Sequence, residues 1–432
     1  MKSSSPLRII LFVAFVDLVG FGLIIPLQAV YAERLGASGL TFGLLVGIYA
    51  AMQMIFNPIL GRWSDRVGRR PVLLISIAGS VVSHLLLGAA DLAHSLPLLF
   101  VARTLDGITG ANVATAQAYI ADVTHDEDRA RGMGLFGAAF GVGFVVGPGI
   151  GAGLAALGYW LSGPEAGTSW PAFGASCISF IAFILVWRKL PEPERATALA
   201  PDGPRKFGFA ALRQASGSPR LRPLLLLVMG VNFALVLLEV TFVFLCTSSL
   251  GIRERGTGLV FVYIGLLMIL VQGVIVGRLS RRVSEYRVLG FAPFITAIGF
   301  VAFALVPSVT ALSWAWAILI VGTIPFTLGH GLTGPNLHAL ISKQAEQGRQ
   351  GATLGLSQSA SSLARTIAPP IGGLLWDVNH TWPYLFGAGL FVGLGTFARK
   401  LHGLNARQSD QFKLAQSNPA TTHERLESSV KE

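Results

Sequence analysis

Two acidic residues of this sequence, Asp17 and Glu239, stand among Leu, Val and Phe in long apolar stretches. A carboxylate there is costly, so it is a functional candidate by default. Such a group could take up a proton at one face of a membrane and release it at the other. If proton and cargo compete for it, proton entry drives cargo exit. Alternatively, both are structural acids neutralised by Arg103 or Arg365.

Arg103 is a third charge inside an apolar stretch, within the sequence Arg103-Thr104-Leu105-Asp106-Gly107. A guanidinium in lipid is also costly, which makes Arg103 a further candidate for proton coupling. Asp106 follows three residues later, on the same helical face, so the two could instead neutralise each other.

The elements that hold these charges are apolar runs of about 20 residues, the length that crosses a bilayer. The chain of 432 residues is 52% hydrophobic and 13% charged, against about 25% charged in soluble domains. This excludes a soluble enzyme and indicates an all-α membrane protein. We predict twelve spans: 9–31, 40–61, 71–90, 96–121, 132–157, 169–187, 221–247, 257–277, 286–306, 311–341, 351–376 and 382–398. The tenth should be bent or shortened, because Pro325 and Pro335 interrupt it.

The net charge of +11 comes from Lys and Arg that are unevenly distributed along the chain, and it does not indicate a nucleic-acid site. On the twelve-span reading, 28 of the 33 Lys and Arg lie in one set of loops and tails. This bias predicts that both termini are cytoplasmic. We expect an integral multi-pass protein of a plasma or bacterial inner membrane.

Internal repetition divides the chain into halves. Gly61-Arg62-Trp63-Ser64-Asp65-Arg66-Val67 recurs as Gly277-Arg278-Leu279-Ser280-Arg281-Arg282-Val283, 216 residues later. Asp17 and Glu239 are 222 residues apart. Such repeats bracket a central site and rock about it. We predict a six-helix bundle over 1–189, a cytoplasmic linker over 190–219, a second bundle over 220–400 and a disordered tail over 401–432.

The loop after the second span continues Gly68-Arg69-Arg70, completing a pattern that resembles the G-x-x-x-D-x-x-G-R-R/K signature of the major facilitator superfamily. The resemblance implies two pseudo-symmetric six-helix bundles. It also implies that this loop latches the halves together in one state, with Asp122 as the acidic partner. The latch residues are Gly61, Asp65, Arg66, Gly68, Arg69 and Asp122.

The fifth span carries Gly143, Gly147, Pro148 and Gly151, in a pattern that resembles the G-x-x-x-G-P-x-x-G-G motif of antiporters in that superfamily. Ala152 replaces the last glycine. Glycines four residues apart form a smooth stripe on which a neighbouring helix packs closely. Plain helix packing explains the pattern equally well.

The first span, with residues 112–153, is similar to the twelve-span drug/proton antiporters, among them the tetracycline/proton antiporters. The resemblance implies export of small lipophilic or cationic compounds, and a cavity lined by spans 1, 4, 7 and 10. Candidate cavity residues there are Phe21, Gln28, Asn112, Gln117, Asn232, Phe233, Phe326 and Asn336. The amides could instead join helices.

The chain departs from the tetracycline antiporters, which carry acids in spans 3 and 9. Here Ser83-His84 and Thr296 stand in those spans, which makes tetracycline doubtful as the cargo. The open alternatives are uptake or exchange of organic anions, and a receptor-like member that transports nothing. The sequence lacks a phosphate-binding G-x-x-x-x-G-K-[ST] loop and any metal-ligand spacing. We therefore expect neither cofactor nor metal, and as partners only a small-molecule substrate, protons and lipid, around a monomer.

Overall fold

The computed structural model describes residues 5–110, 112–124, 126–193, 221–251, 254–279, 282–343 and 350–417. Every long element in this part of the chain is a helix, because a helix satisfies its own backbone hydrogen bonds in lipid. The first half holds α1 Ser5–Arg34, α2 Gly39–Val67, α3 Arg69–Leu92, α4 Leu96–Thr109, α5 Asn112–Val123, α6 Asp126–Ala166 and α7 Trp170–Lys189. The second holds α8 Arg222–Leu250, α9 Glu254–Leu270, α10 Glu285–Leu305, α11 Leu312–Lys343, α12 Gln350–Val378 and α13 Trp382–Ser417. A π-helical segment, Val271–Val276, and a short turn, Gly277–Leu279, extend α9.

Eight of the described helices are long and apolar enough to cross a membrane. The predicted fourth span is not among them, because it is divided at Gly110 into α4 and α5. A Cβ on Gly110 would lie 2.7 Å from Gln53 Nε2, so this position has room only for glycine. The Gln53 amide donates to the Gly110 carbonyl over 3.4 Å, which gives a freed acceptor a partner. The prediction of one continuous helix over 96–121 is therefore wrong.

The predicted tenth span is α11, and it runs unbroken through Pro325 and Pro335. Side chains beside the prolines donate to backbone carbonyls of this helix, Thr327 Oγ1 over 2.8 Å and Asn336 Nδ2 over 2.7 Å. Membrane helices tolerate proline because neighbouring helices and small adjustments of the backbone supply partners to the groups that it frees. The expected shortening does not occur.

A third correction concerns the tail, because α13 continues to Ser417. The absence of apolar periodicity predicts disorder over 401–417. The segment is nevertheless helical, because many of its residues are Leu, Ala, Arg, Lys and Gln, which favour helix without tertiary packing. Residues 418–432 and the linker beyond residue 193 lie outside the described chain.

The halves meet along two helix pairs, α2 against α12 and α6 against α9. These are spans 2 with 11 and 5 with 8. The internal repeat relates span 2 to span 8 and span 5 to span 11, so it converts one interface into the other. The repeat found in the sequence is thus reflected in how the halves pack.

The molecule has two distinct ends. We call the end that holds the α2–α3 turn at Gly68 the basic end, and the end that holds the start of α2 the far end. At the far end the Asp377 carboxylate of α12 accepts the backbone N–H groups of Gly39 and Leu40, over 2.7 and 2.8 Å. A Cβ on Gly39 would lie 2.6 Å from the Gly373 carbonyl oxygen. The halves are therefore in direct backbone contact at the far end.

Candidate functional site

A buried ion pair lies inside the first half. Arg103 Nη1 is 2.8 Å from Asp106 Oδ2, and the guanidinium sits 4.0 Å from the centroid of the Tyr49 ring. Ser83 Oγ donates to Asp106 Oδ1 over 3.1 Å. Arg103 is 2% exposed and Asp106 8%. Arg103 and Asp106 thus neutralise each other in the structure. A role of Arg103 in proton coupling stays a prediction.

This arrangement bears on the missing acid of the third span. Asp106 reaches Ser83 from α4, so a carboxylate lies against α3 although α3 itself supplies only Ser83 and His84 there. His84 Nδ1 lies 3.3 Å from Ser179 Oγ on α7, in the same buried layer.

Gly107, the last residue of the Arg103 motif, explains how the pair is positioned. A Cβ on Gly107 would lie 2.6 Å from the Tyr49 carbonyl oxygen and 2.7 Å from Met52 Cβ. Only glycine lets α4 approach α2 this closely. The approach places Arg103 over the Tyr49 ring.

Asp17 is half-buried on α1 and lines a small, otherwise apolar cavity in the first half. The first half therefore holds a carboxylate in an apolar surrounding on α1, separate from the Arg103–Asp106 pair on α4. The other cavity residues are Val13, Ala14, Leu18, Leu73, Ile77, Ala116 and Phe136.

Glu239 of α8 faces Arg365 of α12. Arg365 Nη2 lies 3.6 Å from Glu239 Oε2, and the two side chains are 43% and 26% exposed. Glu239 thus has an arginine beside it, the alternative that the sequence left open. The Glu239 side chain is only partly buried, and its role in proton coupling stays a prediction.

The predicted cavity amides fall into different environments. Gln28 is buried at 4% exposure, and its Oε1 has no hydrogen-bond partner among the described residues. Asn232 and Asn336 donate to carbonyls of their own helices, over 2.8 and 2.7 Å. Gln117 is exposed. The Asn112 side chain lies outside the described part.

The aromatic candidates also separate. Phe326 is 6% exposed and packs among Phe300, Phe303 and His330, with ring centroids 6.0, 5.7 and 6.0 Å away. Phe326 belongs to the core between α10 and α11, so the prediction that it lines the cavity is wrong. The prediction failed because the periodicity of the sequence does not reveal which face of α11 meets α10. Phe233 is half-buried, and the Phe21 side chain lies outside the described part.

The glycine stripe of the fifth span packs on α1. Added Cβ atoms would lie 2.9 Å from Leu18 Cβ at Gly143, 2.7 Å from the Val19 carbonyl oxygen at Gly147, and 3.3 Å from Leu23 Cγ at Gly151. Pro148 is buried in the same stretch. The stripe therefore fixes the part of α1 that carries Asp17, through packing alone.

At the basic end, the predicted latch residues are joined within the first half. Arg69 lies 2.5 Å from Asp65 and 2.8 Å from Asp122. Ser64 Oγ donates to the Gly61 carbonyl over 2.7 Å, and Arg66 is exposed. These contacts hold the loop in shape; its action as a latch stays a prediction.

Sequence reasoning missed two carboxylates that cap helices from a distance, Asp377 at the far end and Glu192 at the basic end. Glu192 Oε1 and Oε2 accept the backbone N–H groups of Arg69 and Arg70, over 2.5 and 2.9 Å. Gly68 has φ +110°, and a Cβ there would lie 2.7 Å from the Glu192 carboxyl. The signature glycine thus serves the turn and the cap. No local signal links Glu192 to a helix 123 residues earlier.

Two helical bundles, each with an acid–arginine pair inside apolar spans, define a polytopic membrane protein of the transporter type. The sequence model of the Major Facilitator Superfamily matches residues 10–369, and the chain belongs to that family. It therefore has the family's fold of twelve transmembrane helices in two pseudo-symmetric bundles.

Three further similarities point the same way. The class D tetracycline resistance protein of Salmonella ordonez is 31% identical over 85% of this chain and 88% of its own. Multidrug resistance protein 2 of Bacillus subtilis (strain 168) is 29% identical over 88% and 91%. The crystal structure of the human organic anion transporter MFSD10 superposes with a TM-score of 0.66 at 22% identity, over 92% of this chain and all of the other.

Proposed function

We propose that this chain is a proton-coupled antiporter that exports small lipophilic or cationic compounds by alternating access. The observation that carries the proposal is one partly exposed acid in the middle of a span of each half, Asp17 and Glu239. The similarity to tetracycline and multidrug resistance proteins supports it. Tetracycline itself is not proposed as cargo, because Ser83-His84 and Thr296 replace the acids of spans 3 and 9.

In the proposed cycle, cargo and proton exchange at these two carboxylates. Deprotonated Glu239 holds a cationic cargo, which replaces its contact with Arg365. A proton that reaches Glu239 neutralises it and releases the cargo. Separation of the α2–α12 contact at Asp377 opens the far end, and the signature loop with Asp65, Arg69 and Asp122 closes the basic end.

The excess of Lys and Arg at the basic end supports an orientation with this end and both termini in the cytoplasm. Export then runs from the basic end to the far end, across a bacterial inner membrane. We propose that the monomer is the working unit, because each interface between halves is already formed within one chain.

The test is cargo-stimulated proton flux in vesicles with a panel of lipophilic cations. We expect Asp17→Asn and Glu239→Gln to abolish proton-coupled export while the protein stays in the membrane. Glu33→Gln is the matched control, because Glu33 is an exposed acid at the end of α1. Undiminished coupled export in both site variants would remove the proposal.

A further inference from the structure

Among the described residues, five charged side chains lie in the middle of spans: Asp17, Arg103, Asp106, Glu239 and Arg365. Three acids and two arginines give the set a net charge of −1. Each arginine contacts an acid of its own half, Arg103 with Asp106 and Arg365 with Glu239. When all five groups are ionised, as proposed for the state that binds cargo, the interior therefore has a net negative charge that a bound cargo complements.

The two arginines differ in their freedom to affect a cargo. The Arg103 side chain is 3% exposed, lies 2.8 Å from the Asp106 carboxylate and stacks on Tyr49. Asp106 therefore neutralises its charge. The Arg365 side chain is 43% exposed, and its Nη2 lies 3.6 Å from Glu239 Oε2. Arg365 is thus held less closely by its acid than Arg103 is, and its charge is available to a bound cargo.

We infer that Arg365 determines the charge of the preferred cargo, by cancelling one of the acids that a cation would meet. This inference rests on the proposed function, since it concerns the cargo of the same site. With Arg365 present, the site matches a monocation. Without it, the net charge becomes −2 and the site matches a dication. A unit charge within a partly solvated site changes relative affinity by about ten-fold or more.

The experiment measures dissociation constants of two fluorescently detected probes for the purified full chain in lipid nanodiscs. Tetraphenylphosphonium is a lipophilic monocation and dequalinium a lipophilic dication, and the ratio of their affinities cancels general changes in the protein. We expect Arg365→Gln to shift this ratio about ten-fold or more toward the dication. Glu239→Gln should shift it in the opposite direction.

The double variant Glu239→Gln/Arg365→Gln restores the net charge of −1, and we expect its ratio to return toward that of the wild type. Arg365→Lys keeps the charge and should keep the preference. Arg222→Gln is the matched control, because Arg222 is exposed in the first turn of the helix that carries Glu239.

An unchanged ratio in Arg365→Gln, or a double variant that behaves like Arg365→Gln, would overturn the inference. If Arg365→Gln does not fold, the comparison of Glu239→Gln with the double variant tests the inference, because the inference predicts different affinity ratios for these two variants. Wild-type protein that binds the probes but exports neither under a pH gradient would defeat the proposed function alone. The binding ratios would still decide whether Arg365 sets the charge preference.

Discussion

The two halves of the molecule each hold an acid–arginine pair in the middle of a span, but in different environments. Arg103 and Asp106 lie on one helix, are almost fully buried and share further contacts with Tyr49 and Ser83. Glu239 and Arg365 lie on different helices, are partly exposed and are 3.6 Å apart.

The difference indicates a division of tasks. A buried pair is costly to separate, because each charge would remain desolvated without its partner. A partly exposed pair contributes little to the free energy of folding, so a proton or a cation can replace one member at a small cost in free energy. The Arg103–Asp106 pair is thus suited to a fixed structure, whereas the Glu239–Arg365 pair is suited to exchange of its charge.

The largest effect should come from breaking the buried pair. We expect Asp106→Asn to destabilise the protein by about 3–5 kcal/mol, because it leaves Arg103 buried without a counter-charge. The measurement is the apparent melting temperature in detergent, with the yield of monodisperse protein. In the double variant Arg103→Met/Asp106→Leu most of the loss should be recovered; a single variant as stable as the wild type would contradict the assignment.

The next largest effect should come from the glycine that allows close helix packing beside the buried pair, compared with a glycine in the other half. Gly107→Ala places a methyl against the Tyr49 backbone, which cannot move independently, so we expect a cost of about 1–3 kcal/mol. Gly372 near Glu239 is the matched site, because a Cβ there would meet the flexible end of the Leu237 side chain, at 2.9 Å. Gly372→Ala should be tolerated. Thermal unfolding of both variants in parallel measures the difference, and equal losses would count against it.

A smaller effect is expected where the halves meet at the far end. Asp377→Ala removes the carboxylate that caps α2, which should weaken this contact by about 1 kcal/mol, the usual value of a helix cap. The population with an open far end should rise several-fold. Labelling of a cysteine introduced at Leu40, with and without Asp377→Ala, measures the opening; an unchanged labelling rate would show that the cap does not hold this end closed.

The smallest effect on stability should follow from breaking the exposed pair. We expect Glu239→Gln to change the free energy of unfolding by about 1 kcal/mol or less, because Arg365 is 43% exposed and its pairing with Glu239 at 3.6 Å is loose. Its melting temperature should therefore stay near that of the wild type, in contrast to Asp106→Asn. If both variants lose equal stability, the two pairs do not differ as their burial indicates.

Several predictions succeeded because their cause is local or periodic in the chain. The glycine spacing of Gly143, Gly147 and Gly151 indicated a close helix contact, and all three face α1. The position of Arg103 three residues before Asp106 indicated an ion pair, and the pair forms. Phe326 shows the limit, since an apolar residue in an all-apolar helix gives no sign of which face is buried.

The sequence by itself determined the helical membrane class, the two related halves and the residues that carry charge into the lipid, because the length of apolar runs and the cost of buried charge act locally. Only the tertiary structure decided which charge faces which. The Glu239–Arg365 pair and the caps by Asp377 and Glu192 join residues more than 100 positions apart. Such partners are selected by how helices pack, and no spacing along the chain encodes that.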